Sequence, residues 1–206
     1  MITLYGNPHS TCTRKVLMTL HEKEAAFDFQ VLDFAKGEHK SPEHLARQPF
    51  GVVPVIDHDD FRLYESRAIM RYLDRVLPGT SLTPSDVREA ARMEQFISIE
   101  QGYFSGPALT FFLEKMKYPR MGRPTNEANI EEARAKLGPV CDVLAARLED
   151  NRYFAGDAFT LADVTFMPYV ALLFMFDEAA PITSRPALSR WWNEVSARPA
   201  WKKVTG

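Results

Sequence analysis

Residues 7–16 constrain the fold of this chain more than any other stretch, because they join a strand to a helix through a polar turn. The apolar run at residues 2–5 comes before them, and residues 16–20 place apolar side chains at helical spacing after them. Gly6 and Pro8 are typical turn residues. A helix that begins here presents unpaired N–H groups and the positive end of its dipole, which stabilise an anion.

The polar residues of this turn have two interpretations. In the first, Ser10 or Thr11 only caps the helix and Cys12 is a small buried residue. In the second, the helix N-terminus lowers the pKa of a thiol, which is either Cys12 or the thiol of a bound molecule. The residues of the turn alone do not decide between them.

The first 80 residues alternate between strand and helix signals. Residues 26–31 alternate like a strand, which completes a βαβ unit. Ser41 followed by Pro42 predicts the start of a second helix. Asp59 and Asp60 form a turn between two short strands, and a third helix follows near residue 64. The predicted order is β-α-β-α-β-β-α.

Three further places in this region carry chemical signals. His39 and Lys40 are either an exposed polar loop or a cationic site for a small carboxylate. Glu65 and Ser66 lie at the start of the third helix and are either ordinary caps or part of an anion site. Pro54 interrupts an apolar run and marks a sheet edge, a bulge or a cis turn.

The rest of the chain reads as helical. Residues 78–86 are rich in turn residues, so we predict domains at residues 1–77 and 87–206 joined by this linker. Thr160 and Asp163 form a capping box that starts a buried helix. Core packing is sufficient to explain an aromatic stretch that includes Phe104, Phe111 and Phe112, so these residues by themselves do not indicate a ligand pocket.

Composition argues against several classes of function. The net charge is -2 and the pI is about 6.2, with no basic tract, so nucleic acid is not an expected partner. Apolar runs stay below the roughly 18 residues that span a membrane, and no leader pattern opens the sequence. Two cysteines and five scattered histidines make neither a disulfide framework nor a zinc signature, which favours the cytoplasm and no metal.

Four short motifs, in this order and spacing, resemble the glutathione transferases and within them the phi class. They are residues 10–16 (STCTRKV), 37–40 (GEHK), 48–54 (QPFGVVP) and 63–69 (LYESRAI). The element order resembles the thioredoxin fold, and the capping box and residues 198–204 also match. The resemblance covers nearly the whole chain and implies an α/β thioredoxin-like domain followed by an all-α domain.

The resemblance also implies a serine-type active site. Ser10 would donate a hydrogen bond to the sulfur of glutathione and stabilise the thiolate as the nucleophile. The other implied contacts are His39 and Lys40 with the glycine carboxylate, the backbone of Val53 before a cis Pro54 with the cysteinyl backbone, Glu65 with the γ-glutamyl amine, and Ser66 with its carboxylate. The chain departs from the pattern at Val52, where the family often has a polar residue.

The second substrate that the resemblance implies is a hydrophobic electrophile. Its expected pocket has walls at Phe34, Phe104, Phe111 and Phe112. Glutathione would be a co-substrate rather than a cofactor, and a homodimer is expected. Three other functions stay open: a glutathione-dependent isomerase similar to the zeta class, a thiol transferase that uses Cys12, and a non-catalytic carrier of apolar ligands.

Overall fold

The computed structural model describes residues 1–206, which form two units. The sheet unit comprises Met1–Leu82 together with Pro199–Gly206, and the helical unit comprises Thr83–Arg198. In the sheet unit the elements are β1 Ile2–Gly6, α1 Thr11–Glu22, β2 Phe27–Val31, α2 Pro42–Arg47, β3 Val55–His58, β4 Phe61–Tyr64, α3 Ser66–Val76 and α11 Pro199–Thr205. In the helical unit they are α4 Val87–Ile99, α5 Ser105–Phe112, α6 Tyr118–Arg120, α7 Glu127–Glu149, α8 Leu161–Met175, α9 Ala180–Thr183 and α10 Pro186–Ser196.

The last helix of the chain corrects the predicted domain boundary. The predicted helical domain, residues 87–206, included α11, but α11 packs against α1 within the sheet unit. Trp201 and Val204 are 4% and 7% exposed, so this contact buries two large apolar side chains of α11. Burial of that apolar surface keeps the end of the chain with the sheet unit.

The four-stranded sheet has the order β2-β1-β3-β4. β1 is parallel to β2, whereas β3 is antiparallel to both β1 and β4. Leu4 of β1 pairs with Ile56 of β3, and neither side chain is exposed. α1 packs against α3, and Val16 and Leu20 of α1 are fully buried. This arrangement confirms the predicted element order and thioredoxin-like fold.

A continuous helical run from Val87 to Arg120 in the helical unit contains two π-helical turns, Glu100–Phe104 and Leu113–Lys117. The second includes Glu114, which is 2% exposed and accepts the Asn126 N–H at 3.0 Å and the Asn129 amide at 2.5 Å. These hydrogen bonds, from Asn129 first, hold the pKa of Glu114 below its usual range. They attach the helical run to the start of α7.

Asp163 joins three parts of the helical unit. It accepts the backbone N–H of Thr160 at 2.9 Å, as the predicted capping box requires, and also the N–H of Phe154 and the Nε1–H of Trp191. Burial raises the pKa of Asp163 to about 6, although the hydrogen bonds oppose the rise. Every residue of α8 from 161 to 170 is buried, as its apolar composition predicts.

Each helix of the structure is too short or too polar to cross a membrane.

Candidate active site

The register of the sheet brings several segments to one of its ends. Tyr5 of β1 pairs with Val55 of β3, and Val55 pairs in turn with Tyr64 of β4. Gly6 lies beside Val31 of β2. Therefore β1, β2 and β4 all end where β3 begins. The segments that adjoin these strand ends are residues 7–10, 32–40, 52–54 and 65–66.

Ser10 is the N-cap of α1. Its Oγ accepts the backbone N–H of Thr13 at 3.3 Å, and its own N–H donates to the Asn7 carbonyl at 2.9 Å. Capping uses a lone pair of the hydroxyl, so the hydroxyl proton remains free to donate to an anion. The side chain is half-buried. Capping and thiolate binding are therefore compatible in the same residue, and the two interpretations of Ser10 do not exclude each other.

The side chains of Asn7 and Thr13 hold the turn before Ser10 in place, and the backbone N–H of Asn7 donates to Oγ1 of Thr13 at 3.3 Å. The Asn7 amide donates to the Leu32 carbonyl at 2.9 Å and accepts the His9 N–H at 3.0 Å. A Cβ at Gly6 would lie 2.6 Å from Cγ2 of Thr13, which requires glycine at this position. Consequently the turn is attached both to the end of β2 and to the first turn of α1.

Cys12 and Arg14 belong to the first two turns of α1. Cys12 is half-buried and carries a free thiol. Arg14 donates from Nε to the Pro8 carbonyl at 2.8 Å, and burial lowers the pKa of its guanidinium. Arg14 thus binds the turn before Ser10 to α1.

The backbone of Val53 is unpaired at the entrance to β3. The Val53-Pro54 peptide bond is cis, as predicted. Val53 is 9% exposed, and no hydrogen bond within the chain uses its N–H or its carbonyl. Nearly buried backbone groups require partners, so Val53 can pair with the backbone of an extended peptide ligand.

Glu65 and Ser66 begin α3 at the end of β4. Glu65 has φ 74° and ψ 106°, a left-handed conformation that costs a non-glycine residue about 1–3 kcal/mol. Strain of this kind concentrates at binding and catalytic sites. Ser66 is 4% exposed, and the first N–H groups of α3 have no acceptor within their own helix. This helix start can therefore receive a carboxylate.

His39 and Lys40 lie on the segment that follows β2. Lys40 donates from Nζ to the Phe50 carbonyl at 2.9 Å. Its stem crosses Gly51, where a Cβ would lie 2.7 Å from Cδ of Lys40. The ring of His39 stands edge-on to Phe34, with centroids 4.7 Å apart. Both side chains therefore adjoin the same end of the sheet as Ser10.

Comparison with known proteins identifies the family. Family models match the glutathione S-transferase N-terminal domain over residues 1–75 and the C-terminal domain over residues 102–199. Glutathione S-transferase F11 of Arabidopsis thaliana is 39% identical over 209 residues, which cover 99% of this chain and 97% of that protein. The chain belongs to the glutathione S-transferase family.

Solved structures agree with this membership. Glutathione transferase F7 from Populus trichocarpa is 36% identical with a TM-score of 0.94, over 100% of this chain and 98% of that one. Glutathione S-transferase I from mais, solved with an atrazine glutathione conjugate, is 32% identical with a TM-score of 0.91. The match covers 98% of this chain and 95% of that one. These plant relatives confirm the predicted family and its phi-class character.

The predicted wall residues of this transferase are not equivalent. Phe104 and Phe111 are 0% and 1% exposed, and Phe104 packs edge-on against Phe166. Their enclosure in the core of the helical unit leaves no surface for a ligand, so the prediction was wrong for these two side chains. Phe112 is half-buried, and Phe34 is 42% exposed in the sheet unit.

The structure contains no group of three or more histidine, cysteine, aspartate or glutamate side chains that could hold a metal ion.

The structure adds two residues to which the sequence assigned no individual role. His44 and Gln48 are both fully buried and both bond to the backbone of Val52. The available signal was two polar residues four positions apart on a short helix, directly before a Gly-Pro loop. Such spacing is common on exposed helix faces, so it did not indicate burial.

Proposed function

We propose that this transferase activates glutathione with the Ser10 hydroxyl, at the N-terminus of α1. The observation that carries the proposal is the geometry of Ser10 as an N-cap whose hydroxyl proton is free. The first N–H groups of α1 also favour negative charge at this place. Serine suits the task because it donates a hydrogen bond without competing as a nucleophile at neutral pH.

The energy required of Ser10 is modest. A free thiol has a pKa of about 8.5, so a pKa near 7 needs about 2 kcal/mol of preferential thiolate stabilisation. A hydrogen bond to a charged acceptor contributes about 1.5–3 kcal/mol, and a helix N-terminus about 0.3–1 kcal/mol. Together these two interactions account for the required stabilisation.

The remaining contacts with glutathione are proposed along the end of the sheet where β1, β2 and β4 end and β3 begins. Four adjacent strands span about 14 Å, and an extended tripeptide spans about 10 Å, so glutathione fits across them. We assign its glycine carboxylate to His39 and Lys40, and its cysteinyl backbone to Val53 ahead of Pro54. At the β4 side of this end, Glu65 would receive the γ-glutamyl amine and Ser66 its carboxylate.

The reaction that follows is nucleophilic attack by the thiolate. The sulfur forms a bond to a carbon of a hydrophobic electrophile. Either a leaving group departs with its bonding electron pair, or the pair of a double bond moves to an adjacent atom that takes up a proton. In the sheet unit, the exposed ring of Phe34 is the proposed apolar contact for this electrophile, and Phe112 stays a prediction.

We extend the proposal to assembly and location. Phe50 and Tyr103 are 66% and 65% exposed, and burial of such aromatic side chains favours a homodimer. Both cysteines carry free thiols, which suits a reducing cytoplasm. Sedimentation and localisation of the tagged full chain test these two points.

Thioether formation from glutathione and an aryl halide tests the catalytic assignment. We expect Ser10→Ala to lower kcat/KM about 10- to 100-fold, the value of one hydrogen bond to a charged sulfur. Thr11→Ala and Cys12→Ala are the matched controls on the same turn and should keep most of the activity. Glutathione-dependent disulfide exchange that survives in Ser10→Ala and is lost in Cys12→Ala would instead support a Cys12-based thiol transferase.

A further inference from the structure

Two buried side chains hold the backbone of Val52 from both sides. His44 donates from Nε2 to the Val52 carbonyl at 2.8 Å. The Val52 N–H donates to Oε1 of Gln48 at 3.3 Å. His44 and Gln48 are both 0% exposed, and they lie four positions apart at α2 and its C-cap. That spacing directs both side chains to the same side of the helix.

The chemical role of each side chain is determined by the group it faces. A carbonyl oxygen only accepts, so His44 must carry a proton on Nε2. A backbone amide only donates, so Gln48 must present its oxygen rather than its nitrogen. The backbone N–H of His44 donates to Oγ of Ser41 at 3.2 Å, so Ser41 caps the helix that carries His44.

The loop that contains Val52 has little other attachment. Phe50 and Val52 are 66% and 47% exposed, and the ring of Phe50 meets that of Tyr64 edge-on with centroids 6.4 Å apart, so their side chains do not anchor the loop in the core. A backbone bond joins Gly51 to Gln48 at 3.0 Å, and the bond from Lys40 to Phe50 is exposed to solvent. The hydrogen bonds with the buried His44 and Gln48 side chains therefore place Val52, the residue directly before Val53.

We propose that His44 and Gln48 are positioning residues for glutathione, which act through Val52 on the unpaired backbone of Val53. This inference rests on the proposed function, because the position of Val53 matters only if its backbone pairs with glutathione. A hydrogen bond to the peptide part of glutathione is present in both the ground state and the transition state. Its weakening raises the KM for glutathione and leaves kcat unchanged.

Variants that remove one hydrogen bond each test the proposal. His44→Leu removes the donor, and Gln48→Met removes the acceptor with a side chain of similar size. We expect each to raise the KM for glutathione about 2- to 10-fold, as the loss of one hydrogen bond predicts. The kcat and the KM for the aryl halide should stay at their wild-type values.

Two further variants separate positioning from general stability. His44→Gln restores an N–H donor near the place of Nε2 and should bring the glutathione KM back toward wild type. His58→Leu is the control for loss of a histidine hydrogen bond elsewhere in the sheet unit. His58 lies on β3, and its Nδ1 is 2.8 Å from the Tyr72 hydroxyl. This variant should leave the glutathione KM unchanged even if it lowers stability.

The outcomes distinguish this inference from the proposed function. If the wild type conjugates glutathione but His44→Leu and Gln48→Met keep its KM, the positioning role is refuted and the proposed function stands. If the wild type neither binds nor conjugates glutathione, the proposed function fails and this inference fails with it. Should His44→Leu not fold, Gln48→Met decides alone. An equal loss of kcat and kcat/KM would also overturn the positioning role.

Discussion

Replacement of Lys23 by methionine tests a buried ion pair that joins α1 to α3. Nζ of Lys23 lies 3.2 Å from both Oδ1 and the carbonyl of Asp74, and 3.1 Å from the Thr80 carbonyl. Asp74 also accepts the N–H of Leu82 at 2.8 Å. Both charged side chains are 1% exposed. The pair therefore attaches residues 80–82 to the ends of two helices.

Removal of one partner leaves the other charge buried and uncompensated, which costs about 3–5 kcal/mol. For a chain of this length, each kcal/mol lowers the Tm by about 2–4 °C, so we expect Lys23→Met to lower it by about 6–20 °C. The pair lies at the C-terminal ends of α1 and α3, whereas Ser10 and Ser66 lie at their N-terminal ends. The glutathione KM should therefore not change.

Thermal unfolding followed by circular dichroism measures the effect, with Lys136→Met as the matched control. Lys136 pairs with Glu132 on the surface, where the two side chains are 60% and 62% exposed, so its loss should leave the Tm nearly unchanged. The double variant Lys23→Met, Asp74→Leu should recover part of the loss because no buried charge remains. Equal Tm values for Lys23→Met and Lys136→Met would refute the reasoning.

Two further predictions concern titratable groups of the helical unit and the thiol of α1. Burial raises the pKa of the Cys141 thiol to about 12. At about pH 8 a thiol reagent should therefore modify Cys12 alone in the native protein, and Cys141 as well after denaturation. Rapid modification of Cys141 in the native protein would contradict this. Hydrogen bonds from Arg134 and Lys115 hold the pKa of Glu178 below its usual 4.5. These bonds therefore stabilise the folded protein fully above about pH 4.5, and the stabilisation is lost as the pH falls through the pKa that Glu178 has in the folded state. Glu178→Gln should reduce the unfolding free energy at neutral pH and weaken its dependence on pH below about 4.5, and unchanged pH dependence would exclude this carboxylate as the source.

The parts of the fold that could be predicted have local signals. The polar turn before α1, the Asp59-Asp60 hairpin and the Thr160 capping box each occupy a few adjacent residues. The conformations that these segments adopt depend on turn propensity and helix capping, which act between residues a few positions apart. Because three strand ends meet at one end of the sheet, the correct element order was enough to bring the turn before α1 and the start of α3 together.

The parts that could not be predicted depend on contacts between distant residues. Nothing in residues 199–205 indicates that they pack on α1 rather than on the helix before them. Phe104 and Phe112 look alike in the sequence, but Phe104 packs against Phe166 and is fully enclosed, whereas Phe112 is half-buried. The burial of His44 likewise depends on the path of a loop that follows it by several residues.

The central claim is that Ser10 stabilises the thiolate of bound glutathione. Ultraviolet absorbance of that thiolate, followed against pH in the wild type and in Ser10→Ala, tests it most directly. The account predicts a wild-type pKa for the bound thiol well below the free value of about 8.5, and a return toward that value in Ser10→Ala. The same pKa in both proteins would contradict the claim and remove Ser10 from the mechanism.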